Sequence, residues 1–330
     1  MDMIIKNILV YQTFTQQFEM KDVLIENGRF SRIADQLSIT HEEVMDGTGK
    51  WMIPGLIDIH MHIESSMTLP SRFSQAVLPH GVTTVVADPH EIANVFGLEG
   101  IQSFLSNATA LDIFYGIPSS VPSTSPQLET TGGFIGVEEV KELLQHPVIL
   151  CLGEVMNFQD LCKKETSTIK EIIKVCQALR PSLPIEGHCP KISGKDLADF
   201  IGAGVTADHT QQTPESIIEK IKSGMFLEIQ KKSMNKETIQ TLMDYNFYDY
   251  FAFVTDDVMA DKLPKGHLNE IIKLAVSLGM PVEKAIYCST YTPARRMHLD
   301  DRGMIAPGRL ADFILLSNVT DFTIHSVYKN

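Results

Sequence analysis

From about residue 50 onward the chain repeats one pattern: a short apolar run, a turn, then a longer segment of helical periodicity. The runs are Ile53–Ile59, Val82–Ala87, Ile113–Ile117, Val148–Leu152, Pro184–Gly187, Gly204–Ala207, Met225–Ile229 and Phe251–Thr255. Between them, Thr166–Leu179 puts Ile169, Ile172, Ile173 and Cys176 on one helical face. Thr213–Ile221 opens with a Thr-Pro start signal, and Ser193–Ala203 and Gly266–Leu278 carry similar patterning. Short strands alternating with helices imply βαβ units and a parallel sheet. Eight such units over roughly 200 residues have the count and size of a TIM-type (β/α)8 barrel.

The two chain ends differ in texture. Ile4–Tyr11, Asp22–Ile25 and Phe30–Ala34 read as strands, with the turn signal Glu26-Asn27-Gly28 between two of them. Gly303–Leu316 is turn-rich and then strand-like, and Phe322–Val327 reads as another strand. The simplest architecture joins residues 1–50 and 303–330 in one small β-sandwich domain and inserts the barrel, residues 51–302, between them. The Ser/Thr/Pro-rich stretch Ser119–Gly133 is a long loop within the barrel, and loops of that kind often serve as lids.

Charge and hydropathy narrow the function classes. The 330 residues carry 28 Lys and Arg against 41 Asp and Glu, a net charge of −13. Such a chain has no electrostatic footprint for nucleic acid or an anionic membrane. No apolar run reaches the roughly 18 to 20 residues that span a bilayer, and the N-terminal segment has no long apolar core typical of a secretory signal. The cysteines at 151, 162, 176, 189 and 288 are widely spaced and form no CxxC pair, so buried reduced thiols are expected. These features fit a cytoplasmic protein acting on a small molecule, and they leave a homo-oligomer open.

The chemistry-bearing residues fall at one end of the inferred barrel. His60 and His62 close the first run and point the same way on a strand, about 6–7 Å apart, where they can share a metal. Glu154 follows the fourth run, His188 the fifth, His209 the sixth and Asp256 the eighth. Each has a plain alternative: Glu154 as a solvated strand end, the two later histidines as loop residues, Asp256 as a helix cap. The joint pattern at the strand ends, where barrel enzymes place their chemistry, is what points to a metal site.

At these residues the chain resembles the adenine deaminases of the amidohydrolase superfamily. The resemblance covers essentially the whole chain. It is carried by the segments His62–Met67, Leu78–Val85, Ala87–Val95, Gly153–Phe158, Thr255–Asp257 and Ile305–Gly308. It implies two divalent metals, manganese or iron typically and zinc as a further candidate. It implies that His60, His62 and Asp256 hold one metal, His188 and His209 the other, and that Glu154 bridges them. It also implies a small β domain built from both chain ends.

The reaction implied is hydrolysis of adenine to hypoxanthine and ammonia. Adenine C6 is a poor electrophile, and water at neutral pH is a weak nucleophile. A divalent metal brings the pKa of bound water towards about 7, which makes hydroxide available. Asp256, and Glu154 beside it, are the expected catalytic acids: Asp256 takes a proton and returns it to the leaving amine. Negative charge develops at ring N1 and calls for a donor, for which Glu64, Ser65, His90 and Asp257 are candidates. His267 also lies in a family-like segment. The HxE and PCxxC signature of cytidine-deaminase-type zinc enzymes is absent.

The sequence departs from the family at four places. Thr210 follows His209 where an acid is usual. Gln230-Lys231-Lys232 replaces an Arg-Glu-Gly stretch, and Val258-Met259 replaces Arg-His after Asp257. The chain also stops at Asn330, so the family's extra C-terminal domain is expected to be missing. The loop changes bear on substrate identity, because a pocket built to hydrogen-bond one ligand rejects analogues. Two alternatives therefore stand beside adenine: another cyclic amine or amide, and a non-catalytic relative that binds a purine.

Overall fold

The computed structural model describes residues 2–38, 41 and 43–330. The remaining four positions fall within the expected N-terminal unit and lie outside the described residues. The strands are, in order, β1 (Met3–Gln12), β2 (Gln17–Glu26), β3 (Arg29–Ala34), β4 (Val44–Asp46), β5 (Trp51–Pro54), β6 (Leu56–His62), β7 (Val82–Ala87), β8 (Asp112–Ile117), β9 (Ile149–Val155), β10 (Ile185–Gly187), β11 (Ala207–Asp208), β12 (Phe226–Ile229), β13 (Phe251–Phe253), β14 (Asp256–Asp257), β15 (Phe313–Asn318) and β16 (Thr323–Tyr328).

Strands β6 to β14 form a curled parallel sheet of TIM-like type. The order β10-β9-β8-β7-β6-β14 makes one arc and β11-β12-β13 the other. The arcs meet where Thr206 N–H donates to the Ile185 carbonyl at 2.9 Å, and again where the chain runs from Phe253 into β14. Helices follow the strands, among them His90–Leu105, Thr168–Leu179, Pro214–Lys222 and Val282–Arg296. Ile169, Ile172, Ile173 and Cys176 are all buried on the inner face of Thr168–Leu179, as the 3.6-residue period predicts. Among the described residues no helix is long and apolar enough to cross a membrane.

Both chain ends contribute to one seven-stranded sheet, ordered β16-β15-β5-β1-β2-β3 with β4 beside β1. Asn27 and Gly28 have φ of 52° and 68° in the hairpin turn between β2 and β3, the left-handed pair such a turn requires. The first apolar run proves to be two elements. Trp51–Pro54 pairs with β1 and β15 in the end sheet, whereas Leu56–His62 is the first barrel strand. The break falls at Gly55, whose N–H donates to the Asp312 carbonyl at 2.9 Å. Arg302, buried at the end of the barrel segment, donates to Thr84 Oγ1 at 2.8 Å and Asp112 Oδ2 at 2.5 Å and so anchors the start of the tail.

Candidate metal centre

Strand register assembles the site. β14 pairs with β6 so that Asp256 lies beside Met61 and Asp257 beside His62. His60 Nε2 and His62 Nε2 consequently stand 3.7 and 3.5 Å from Asp256 Oδ1. Asp256 has φ of 60°, so a left-handed kink turns its carboxylate inward. Thr255, just before it, is clamped by buried Asp58, whose Oδ2 accepts from Thr255 Oγ1 at 2.6 Å.

A second group forms at the ends of β9, β10 and β11. Glu154 Oε2 lies 2.8 Å from His188 Nδ1 and 3.2 Å from His209 Nε2, and those two nitrogens are 3.2 Å apart. The other oxygen of Glu154, Oε1, is 3.6 Å from His62 Nε2. One carboxylate therefore faces both groups. Its position is set from below: Glu154 N–H donates to Asp88 Oδ2 at 2.8 Å, and Ser119 Oγ donates to the Glu154 carbonyl at 2.7 Å. Gly153 is required here, because a Cβ would sit 2.3 Å from Asp88 Oδ2.

The electrostatics suit a cation. Burial opposes ionisation of Glu154, but His209, His188, His60 and His62 outweigh it and hold the carboxyl well below the usual range. Asp256 is held down in the same way, by His60 and His62 against burial. Burial and the neighbouring His60 push His209 down to about 4, which keeps its lone pair free for a metal. Burial works against a proton on His62, yet Asp256 and Glu154 raise it well above the ordinary value. The site's carboxylates draw positive charge.

Unpartnered atoms give the test of fit. His60 Nε2, Asp88 Oδ1, His90 Nδ1 and Glu91 Oε2 are buried and have no hydrogen-bond partner among the described residues. His60, His62 and Asp256 each offer an atom within 4.8 Å of the others, as do His60, Glu154 and His209. Imidazole nitrogens and carboxylate oxygens 3–4 Å apart, with no hydrogen bond between most of them, are the donor set of a divalent cation.

All six expected ligands meet in one region, and five of them, Glu154, His188, His209, Asp256 and His62, line a cleft of about 350 Å³; His60 is buried against Asp256 and His209. His90 and Asp257 also line it. Ser65 reaches it only through Asp257, to which its hydroxyl donates at 2.5 Å. Glu64 sits behind, accepting the N–H of Ile92 at 3.2 Å, and burial together with Glu91 pushes it up to about 7. Thr210, Gln230 and Lys232, three of the divergent positions, are on the cleft wall, with Lys232 Nζ 3.5 Å from Asp256 Oδ2.

Other expectations shift. No residue of the Ser119–Gly133 loop lines the cleft; residues 119–122 and 124–127 line a separate hollow of about 220 Å³. His267 is buried beside Thr255 and Asp58, away from the cleft, and burial drives it down to about 3. Sequence reasoning passed over Asp58, Asp88, Glu91 and Glu228. Their signal was an acid inside or beside an apolar run, a residue type seldom buried without a partner.

A model of the amidohydrolase family matches residues 51–330. The chain belongs to this family. Among curated proteins, this amidohydrolase is 59% identical to an adenine deaminase of Clostridium perfringens over 331 residues, covering 100% of this chain and 58% of that protein. It is 56% identical to adenine deaminase 2 of Oenococcus oeni, covering 99% and 58%. The amidohydrolase thus spans a little over half the length of these relatives. Among solved structures, a β-aspartyl dipeptidase of Fervidobacterium islandicum AW-1 superimposes with a TM-score of 0.74 at 21% identity, over 100% of this chain and 95% of that one.

Proposed function

We propose that this chain hydrolyses adenine to hypoxanthine and ammonia at a pair of divalent cations, manganese or iron ahead of zinc. The observation that carries the reading is Glu154, one carboxylate facing two separate groups of imidazoles. Identity of 51–59% over the chain to proteins named adenine deaminase supports the substrate. His60, His62 and Asp256 would hold one cation, His188 and His209 the other, with Glu154 between.

Bound there, the cations supply a Lewis acid and lower the pKa of a water towards about 7. Asp256 Oδ1 accepts a proton from the attacking water and returns it to the departing amine. A C6–O bond forms and the C6–N bond breaks, so adenine and water give hypoxanthine and ammonia. His90 and Asp257 line the cleft and are the candidate partners of ring N1, whereas Glu64, pushed up to about 7, is not among the lining residues.

A second reading keeps the hydrolysis and changes the ring. It is favoured by Lys232, a cation at the cleft mouth beside Asp256, where a substrate bearing an anionic group would pair. Ammonia release from adenine by manganese-reconstituted protein, run beside a panel of aminopurines and cyclic amides, tests both. Turnover of adenine above the others is expected; turnover of another ring with none of adenine overturns the substrate, and binding of purine without metal or turnover overturns the enzyme.

We also take the end strands as a separate β-sandwich-type unit bracing the barrel. Support comes from its own apolar cluster, which includes Ile5, Val10, Val23, Phe30, Met52 and Phe313.

A further inference from the structure

The two histidines of the first strand present the same nitrogen inward. His62 Nε2 and His60 Nε2 both face Asp256 Oδ1. Behind His62, Nδ1 donates to the backbone carbonyl of Asp88 at 2.9 Å, so in the neutral ring the lone pair lies on Nε2. Behind His60, the equivalent atom Nδ1 faces Glu228 Oε2 at 3.7 Å.

Glu228 sits on β12 in the barrel interior, fully buried, and neither of its oxygens has a hydrogen-bond partner among the described residues. The other acid nearby, Glu186, is paired through Oε1 with Arg296 at 2.6 Å, while its Oε2 is likewise buried without a hydrogen-bond partner among the described residues. A buried carboxyl without a partner destabilises the fold. His60 is also stacked on His209, with ring centroids 3.8 Å apart and planes 19° from parallel. The stack fixes the plane of the ring and leaves its 180° flip free, so something must choose between the two flips.

We infer that Glu228 is a positioning residue whose Oε2 accepts the Nδ1–H of His60 and holds Nε2 toward the first cation position. A movement of under about 1 Å brings the pair to hydrogen-bond distance. Ligand histidines are commonly oriented this way by a carboxylate or carbonyl behind them. The inference rests on the metal-site reading of His60.

The test uses the full chain, stripped of metal, with Glu228→Met and Glu228→Gln. Mn²⁺ titration gives affinity, and thermal unfolding without metal gives stability. Glu228→Met, similar in volume but without an acceptor, is expected to weaken Mn²⁺ binding about 10- to 100-fold while the metal-free melting temperature holds or rises. Glu228→Gln keeps a carbonyl acceptor and recovers most of the affinity. Unchanged affinity in Glu228→Met overturns the inference. So does a loss of affinity that comes with a lower metal-free melting temperature, or a glutamine variant as weak as the methionine one. A wild-type chain that binds no Mn²⁺ overturns the metal-site reading itself, and this inference with it.

Discussion

Oε2 of Glu154 lies 2.8 Å from Nδ1 of His188, a contact that crosses from the end of β9 to the end of β10. Because Oε1 of the same residue faces His62, the charge of Glu154 serves both halves of the site. Glu154→Gln keeps the shape and removes that charge. Metal content and ammonia release are expected to fall together, with occupancy dropping below two per chain, as read by elemental analysis and an activity assay. Lys163→Ala, which breaks an exposed contact with Asp196, is the control and should change neither.

Asp256, the proposed proton carrier, sits on a left-handed backbone, φ 60°. Asparagine tolerates that backbone well, whereas alanine does so at a cost of about 1 kcal/mol. Asp256→Asn is expected to lower kcat by at least about 100-fold with little change in urea stability. Asp256→Ala should lose the same activity and also unfold at lower urea. Equal stability losses in both would contradict the backbone argument.

Lys220 Nζ meets Asp208 Oδ2 at 2.7 Å and the Cys189 carbonyl at 3.2 Å, all buried, and so ties together the loops that carry His188 and His209. Removing one partner strands the other charge. Lys220→Met is expected to cost about 3–5 kcal/mol in urea unfolding at pH 7. Burial opposes ionisation of Asp208, but Lys220 and His209 pull it down to about 2, below its unfolded value of about 3.9. A depressed carboxyl stabilises the fold above its unfolded pKa and loses that effect as pH falls through the folded one. The gap between wild type and variant should therefore stay level from pH 8 to 5 and narrow between about 4 and 2.

The thiols offer a check on packing. Cys151, Cys176, Cys189 and Cys288 are buried, and Cys162 is half-buried. Burial pushes Cys176 and Cys189 up to about 12. A thiol-specific reagent at pH 8 should modify Cys162 first in the native protein and reach the others only on unfolding. Rapid native modification of Cys176 or Cys288 would contradict the core described here.

Much of this was legible because it repeats. Eight apolar runs set the barrel, and ligands at strand ends set the site. What escaped had no period to betray it. Ile53–Ile59 reads as one strand because a run buried on both faces shows no break, yet Gly55 divides it between two sheets. Asp88 and Glu228 are single acids within or just after buried strands, and only folding reveals that one supports the Glu154 backbone and the other backs His60. The loop at Ser119–Gly133 has lid-like composition, but where it lies depends on tertiary packing, which composition does not encode.

Half a dozen side chains converge on the cleft, and the proposed hydrolysis depends on the cations they would hold. Elemental analysis and ammonia release from adenine, measured on one sample before and after chelation, test it directly. Two divalent metals per chain, loss of turnover on their removal and recovery on adding Mn²⁺ are expected. Full turnover by metal-free protein, or no metal bound at any concentration tried, would contradict it.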